Sequence, residues 1–207
     1  LYAALRETAK MNKNGRKIYH KRQVKIPTVA GLEASALYYL SRYAASEASL
    51  RRMLENRLRR AAFRHPAFAE DKEAQANLHT AIDAIVAKHK KIGAINDAAY
   101  AAMKISSARR AGRSARMIKQ KLGQRGIAAA TIDKALLESA GDMDSADAET
   151  KAAFALAKKR KLGPFGKKDN DPAKRQKEFA TMARAGFSAS TIRQVFGADA
   201  EDLPDWE

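Results

Sequence analysis

Gly126-Ile127-Ala128-Ala129-Ala130-Thr131-Ile132-Asp133-Lys134-Ala135-Leu136 comes back sixty residues later as Gly186-Phe187-Ser188-Ala189-Ser190-Thr191-Ile192-Arg193-Gln194-Val195-Phe196. Apolar positions match in register: Ile127 with Phe187, Ile132 with Ile192, Leu136 with Phe196 and, four residues upstream of the glycines, Leu122 with Met182. Each copy predicts a helix that stops at a glycine, then an apolar residue, then a short helix with apolar residues at i, i+3 and i+4. A fixed period of this kind points to stacked copies of one small unit, none able to bury its apolar face alone.

Working outward, no stretch alternates apolar and polar residues long enough for a strand, so the fold class is all-α. About nine helices are expected, in three tandem three-helix, helix-turn-helix-like units. The reading divides the chain into a basic, mostly disordered arm (1–31), a first unit with a long internal connection (32–95), a second unit (96–142), a third (143–197) and an acidic tail (198–207). The first helix is placed over Leu32–Tyr43, with Leu32, Ala36, Leu37, Leu40 and Tyr43 facing inward. Ser46 is read as the N-cap of the second helix, and Phe63–Asp71 as a loop. Further cap signals are Asn96-Asp97, Ser114, Asp144-Ser145, Asp171 followed by Pro172, and Ser188. After Gly141 the helix is expected to turn Ala148, Ala152, Ala155 and Leu156 inward.

Net charge is +17 over 207 residues. Residues 1–31 hold eight basic residues against Glu7 alone, and residues 197–207 hold five acids and no base, which leaves about +15 on the body. Such a field favours polyanions: nucleic acid, an acidic protein face, or both. There is no cysteine, which excludes disulfides, zinc–thiolate sites and thiol chemistry and fits a reducing cytoplasm. No apolar run approaches the ~20 residues of a membrane span, and no signal peptide is evident. The sequence opens on Leu1 rather than methionine, which leaves room for residues upstream.

Enzymatic chemistry finds little support. Gly163-Pro164-Phe165-Gly166-Lys167-Lys168 has two residues between its glycines where a phosphate loop needs four, and no Ser or Thr follows. His20, His65, His79 and His89 are scattered without metal-ligand spacing. The expectation is therefore no enzyme, no catalytic residue, no metal and no cofactor.

Ala36-Leu37-Tyr38-Tyr39-Leu40, Ser46 with Leu50-Arg51, Gly93-Ala94-Ile95-Asn96-Asp97-Ala98-Ala99-Tyr100-Ala101, and Gly186-Phe187-Ser188 with Ile192 and Val195 together resemble the RecX regulatory proteins. Ile95-Asn96-Asp97 followed by Tyr100-Ala101 is the most specific of these. The resemblance spans roughly residues 32 to 197. It implies three tandem three-helix units in an elongated curved array, and a cytoplasmic protein that binds the RecA recombinase filament and suppresses its activities. The chain departs from the family pattern at Ala185, where an arginine is usual, and in its long connection around Arg60–Asn77.

The best functional candidate is the run Ala98–Ile132, which contains no acid. It carries Lys104, Arg109, Arg110, Arg113, Arg116, Lys119, Lys121 and Arg125. Guanidinium groups pair bidentately with carboxylates or phosphates, so this basic face suits an acidic filament groove or a DNA backbone; a merely solvated helical face is the plain alternative. Lys158-Lys159-Arg160-Lys161, with Lys167 and Lys168, forms a second cluster. Tyr38, Tyr39 and Phe63 can stack on bases, but aromatics at helical spacing usually fill a core. The expectation is a non-catalytic, monomeric modulator, most often inhibitory, of the RecA–DNA filament, with non-specific DNA contact secondary and no membrane partner. The alternative is a stand-alone basic DNA-binding protein built from the same repeats.

Overall fold

The computed structural model describes residues 24–166 and 171–198, and every regular element among them is helical. Ten α-helices follow one another: α1 Val29–Leu40, α2 Glu47–Arg64, α3 Pro66–Glu70, α4 Lys72–Lys91, α5 Asp97–Arg110, α6 Ala115–Gln124, α7 Ala129–Ala140, α8 Ser145–Arg160, α9 Pro172–Arg184 and α10 Ala189–Gly197. A single 3-10 turn covers Gly163–Phe165. The arm up to residue 23, the loop 167–170 and the tail from 199 lie outside the described residues.

Three apolar clusters succeed each other along the chain. The first gathers Leu32, Leu50, Leu54, Ile82 and Val86 from α1, α2 and α4, with Ile95 closing it. The second gathers Tyr100, Ile105, Ile118, Ile132 and Leu136 from α5, α6 and α7. The third gathers Phe154, Leu156, Met182, Ile192 and Val195 from α8, α9 and α10. Three of the sequence-paired positions are buried in both copies, Leu122 and Met182, Ile127 and Phe187, Ile132 and Ile192, whereas Leu136 is buried and its counterpart Phe196 only partly so. The turn between them repeats as well. Gly126 and Gly186 have φ of +79° and +94°, and the amides of Ile127 and Phe187 donate back to the carbonyls of Leu122 and Met182.

Helix starts follow local chemistry. Ser46, Asn96, Ser114, Asp144, Asp171 and Ser188 each accept an N–H from the first turn of the helix they open. Three expectations need correction. α1 begins at Val29, because Thr28 supplies a cap to Gly31, and it ends at Leu40; Leu37 and Tyr43 are exposed rather than inward. Phe63–Asp71 is not a loop. α2 continues to Arg64, Pro66 at a first helical position starts α3, and Phe68 is buried there. α8 buries Thr150, Ala153, Phe154 and Ala157 beside Ala152 and Leu156, since it is packed by α5, α7, α9 and α10. A helix enclosed on this many sides shows no single apolar stripe to read.

The joints between clusters repeat one device. Ser46, fully buried, donates its Oγ–H to the carbonyl of Arg125 at 2.8 Å, while Ser114, also buried, does the same to Ala185 at 2.7 Å. In both cases the acceptor is the residue before the repeat glycine. The first backbone N–H of the capped helix is then taken by a carboxylate of the next group: Glu47 N–H by Asp97 at 2.8 Å, and Ala115 N–H by Glu149 at 3.0 Å.

A Cβ on Gly126 would stand 2.3 Å from the Cβ of Ala48, and one on Gly186 would stand 2.4 Å from the Oγ of Ser114. Gly93 also has positive φ, at +73°, but faces open space. Alanine there should lower stability by about 1–2 kcal/mol, the strain of a left-handed residue alone. Gly126→Ala and Gly186→Ala should each lower it by more than about 3 kcal/mol, because backbone strain and a clash at the joint combine. Urea unfolding of the three variants checks the order.

Candidate functional site: a carboxylate-free cationic track

The joint at Arg125 places two grooves side by side. One runs between α5 and α6 and is rimmed by Lys104, Arg113, Lys121 and Arg125. The other lies on α2 against α1 and is lined by Tyr39, Arg52, Arg57, Arg60 and, again, Arg125. No carboxylate lines either groove, and among the described residues none of these seven cations takes part in an ion pair. Helix α2 is what brings the second groove to the first. Ser46 pins its N-terminus onto the α6–α7 turn, and further along the helix the Arg52 guanidinium donates to the carbonyl of Gln124 at 3.2 Å. Lys104 lies over the ring of Tyr100, 5.5 Å from its centroid, a cation–π contact that holds the ammonium at the rim.

The acid-free run of sequence is divided by the fold. Arg113, Lys121 and Arg125 share one groove with Lys104, as a contact surface requires. Arg110 is exposed but turns to a different groove, between α5, α7 and α8, beside Glu138 and Lys151. Arg116 is exposed and lines neither groove of the track. Lys119 pairs with Asp133 at 2.7 Å across α6 and α7, a solvent-exposed pair of small energetic weight.

Arg109 is the residue whose expected role changes. Its guanidinium pairs with Glu149 at 2.5 Å, both side chains less than one-fifth exposed, and the same carboxylate receives the N–H of Ala115. Arg109 thus fastens α5 and the start of α6 to α8, and it is not available as a surface cation. The acid that pairs with Arg109 lies outside the run, in the next group of helices.

Lys158, Lys159 and Arg160 occupy the last turn of α8, and Lys161 ends it in the left-handed conformation at φ 54°. All four are exposed, and positive charge at a helix C-terminus is favourable in its own right. Lys167 and Lys168 lie outside the described residues.

Sequence reasoning missed Arg52, Arg57 and Arg60 as members of the track. All three are exposed on the outer face of α2, and only the joint shows that this face continues into Arg125. Arg51, from the same helix, is engaged within its own group: its hydrogen bond to Asp83 raises its pKa above the ordinary arginine value, against a smaller opposing effect of burial. Glu47 likewise holds the Lys90 ammonium at 2.8 Å and raises its pKa. The aromatics depart from the core expectation. Tyr38 is 62% and Phe63 83% exposed, whereas Tyr39 is half-buried and touches Tyr43. Arg42 and Arg64 lie over the Tyr38 and Phe63 rings. No three His, Asp or Glu side chains among the described residues come together as a metal site. No helix among them is long and apolar enough to cross a membrane.

Fold and surface define a tandem helical-repeat protein with a cationic track across its first joint. Residues 96–136 match the RecX family model for the second three-helix domain. A regulatory protein RecX from Myxococcus xanthus is 37% identical over 172 residues, covering 81% of this chain and 85% of that relative. One from Agrobacterium fabrum is 34% identical over 114 residues, covering 55% and 58%. A crystal structure of regulatory protein RecX superposes with a TM-score of 0.58 at 22% identity, covering 82% of this chain and 74% of the other. RecX from Lactobacillus salivarius gives 0.57 at 20%, covering 82% and 94%. The chain belongs to the RecX family of regulatory proteins.

Arg109→Ala should lower stability by about 2–3 kcal/mol, because it strands a mostly buried carboxylate. Arg110→Ala and Arg113→Ala, which remove exposed cations, should stay within about 0.5 kcal/mol of wild type. Thermal melts of the three single variants check this separation.

Proposed function

We propose that this chain is a non-catalytic modulator of RecA, acting as an inhibitor by binding the RecA–DNA filament through the cationic track. Membership of a regulatory family supports the regulatory part of this reading. The observation that carries the rest is the continuity of the track: seven cations across two helix groups, joined through Arg125, with no carboxylate among them. Like charges held this close repel one another in the free protein, and an anionic partner relieves that repulsion. A filament of nucleic acid sheathed in protein offers phosphates and acidic side chains over a surface longer than one helix group. Binding one filament state more tightly than another shifts the population toward it by the difference in affinity. If the favoured state is inactive or disassembling, hydrolysis and strand exchange fall. On this reading the chain acts in the cytoplasm, where the recombinase works. The protein is taken to act as a monomer.

A stand-alone DNA binder is the second reading, and the Arg52–Arg57–Arg60 groove is what favours it. That reading requires log affinity to fall by about 0.9 per log salt for each phosphate neutralised on duplex, or about 0.7 on single strands. It also requires effects on RecA to follow DNA coating.

RecA-catalysed ATP hydrolysis on single-stranded DNA, with this protein titrated well below one copy per recombinase, separates the two readings when its binding to the same DNA alone is measured in parallel. The expected result is inhibition at concentrations that leave the DNA uncoated. Inhibition only as the DNA becomes coated would establish the DNA binder instead. Replacing Arg57, Arg60 and Arg125 by alanine removes three exposed charge contacts of about 0.5–1 kcal/mol each, and should raise the concentration for half-inhibition about tenfold or more. The helical circular dichroism should not change.

A further inference from the structure

We propose that the groove between α5 and α6 receives an acidic peptide segment carrying one bulky apolar residue. This deepens the filament reading by assigning that part of the track to protein rather than to DNA, and it rests on that reading only for the partner's identity.

The two grooves share their charge but differ in what lies between the charges. The α2 groove has Ser49 and Asn56 among its arginines, with Tyr39 and Met53 as its apolar members. The α5–α6 groove has an apolar floor made by Ala108, Ala111, Met117, Ile118 and Leu122. Ile118 and Leu122 are buried residues of the second cluster, and the partly exposed Ala108, Ala111 and Met117 above them give the floor its accessible apolar surface. Lys104, Arg113, Lys121 and Arg125 stand around it.

A phosphodiester backbone presents anions and nothing to cover such a floor; apolar surface beneath it would stay wet or be left poorly filled. Glutamate or aspartate flanking a phenylalanine, leucine or methionine meets both demands. The carboxylates reach the rim cations, and the apolar side chain removes the floor from water. A cationic rim without any carboxylate also selects against basic segments, through like-charge repulsion. The groove therefore reads a combination of charge and one anchor, as helix-in-groove and acidic-motif recognition do elsewhere.

Fluorescence anisotropy with the full chain tests the assignment. Three labelled probes are needed: a peptide of glutamates around one phenylalanine, its counterpart with serine at that position, and an oligothymidylate. Burying a phenylalanine contributes about 1.5–3 kcal/mol, so the phenylalanine peptide should bind about tenfold more tightly than the serine peptide, or better. Arg113→Glu with Lys121→Glu should abolish binding of the phenylalanine peptide. Arg57→Glu with Arg60→Glu should leave the preference for the anchor intact. All four positions are outside the apolar clusters, and circular dichroism verifies the fold of each variant. Equal affinity for the two peptides overturns the proposal, because the floor would then contribute nothing. So does an oligothymidylate that loses its binding with Arg113→Glu and Lys121→Glu but keeps it with Arg57→Glu and Arg60→Glu, since the groove would then hold nucleic acid. Anchor preference that persists while RecA hydrolysis is unaffected supports the groove and sinks the filament reading alone.

Discussion

A serine hydroxyl that caps one helix and at the same time donates to the carbonyl closing another is the contact on which this array depends. At a helix N-terminus the first amides lack partners, and at a C-terminus the last carbonyls do. Ser46 and Ser114 each accept an amide from their own helix and each give a proton to the last turn of a helix in the next group. Orphans at two helix ends are thus satisfied by one buried atom. Leaving either partner unpaired in that interior would cost about 1–3 kcal/mol. The geometry admits nothing larger than hydrogen on the glycine that follows the acceptor. Serine and glycine are therefore matched across the joint, though 79 residues separate Ser46 from Arg125 and 71 separate Ser114 from Ala185.

The joint also decides which charges remain at the surface. At the second joint Glu149 reaches back to the start of α6, and Arg109 balances it. At the first joint Asp97 has the corresponding task, and the cation near it is Lys90, held by Glu47. These carboxylates serve helix ends, so none of them is turned toward the grooves. Repulsion among the track's cations is tolerated because the joints hold the helices in place whether or not a partner neutralises them. A surface built this way needs no ordering before an anionic partner meets it, which would lower the entropic cost of such an association.

How much of this the sequence discloses depends on the distance over which each feature is written. Caps are local, and Asn96, Ser114, Asp144, Asp171 and Ser188 all sit where side-chain chemistry puts them. The sixty-residue repeat is legible because Leu122, Ile127 and Ile132 fill one core as Met182, Phe187 and Ile192 fill another. Leu37 and Tyr38 mislead because nothing local shows which side of α1 is covered. Arg109 misleads for a related reason: its partner Glu149 lies forty residues away, in a helix whose approach no spacing rule predicts. The absence of acid between Ala98 and Ile132 holds for the groove around Lys104, Arg113, Lys121 and Arg125 but not for Arg109 and Lys119, which Glu149 and Asp133 reach from outside the run. The motif Ile95-Asn96-Asp97 is specific because three duties meet in it: core closure by Ile95, capping by Asn96 and the joint by Asp97.

The same device is incomplete on the outer sides of the first and third groups. A further group at the C-terminal side would need a hydroxyl donor at the start of α9, in the place of Ser46 and Ser114. That position is Asp171, which as a carboxylate accepts hydrogen bonds and has no proton to give to a carbonyl. At the other side, the turn between the second and third helices would have to offer a carbonyl before a positive-φ glycine. There the first group has α3 instead, with Pro66 at its start, Phe68 buried beneath it and the His65 ring bonded to the carbonyl of Val24. No positive-φ glycine lies between Glu47 and Lys91. Among the described residues, the first and third groups thus each lack one half of this joint on their outer side. The long connection that looks irregular in the sequence therefore takes the place that the Gly126 and Gly186 turns hold in the other two groups.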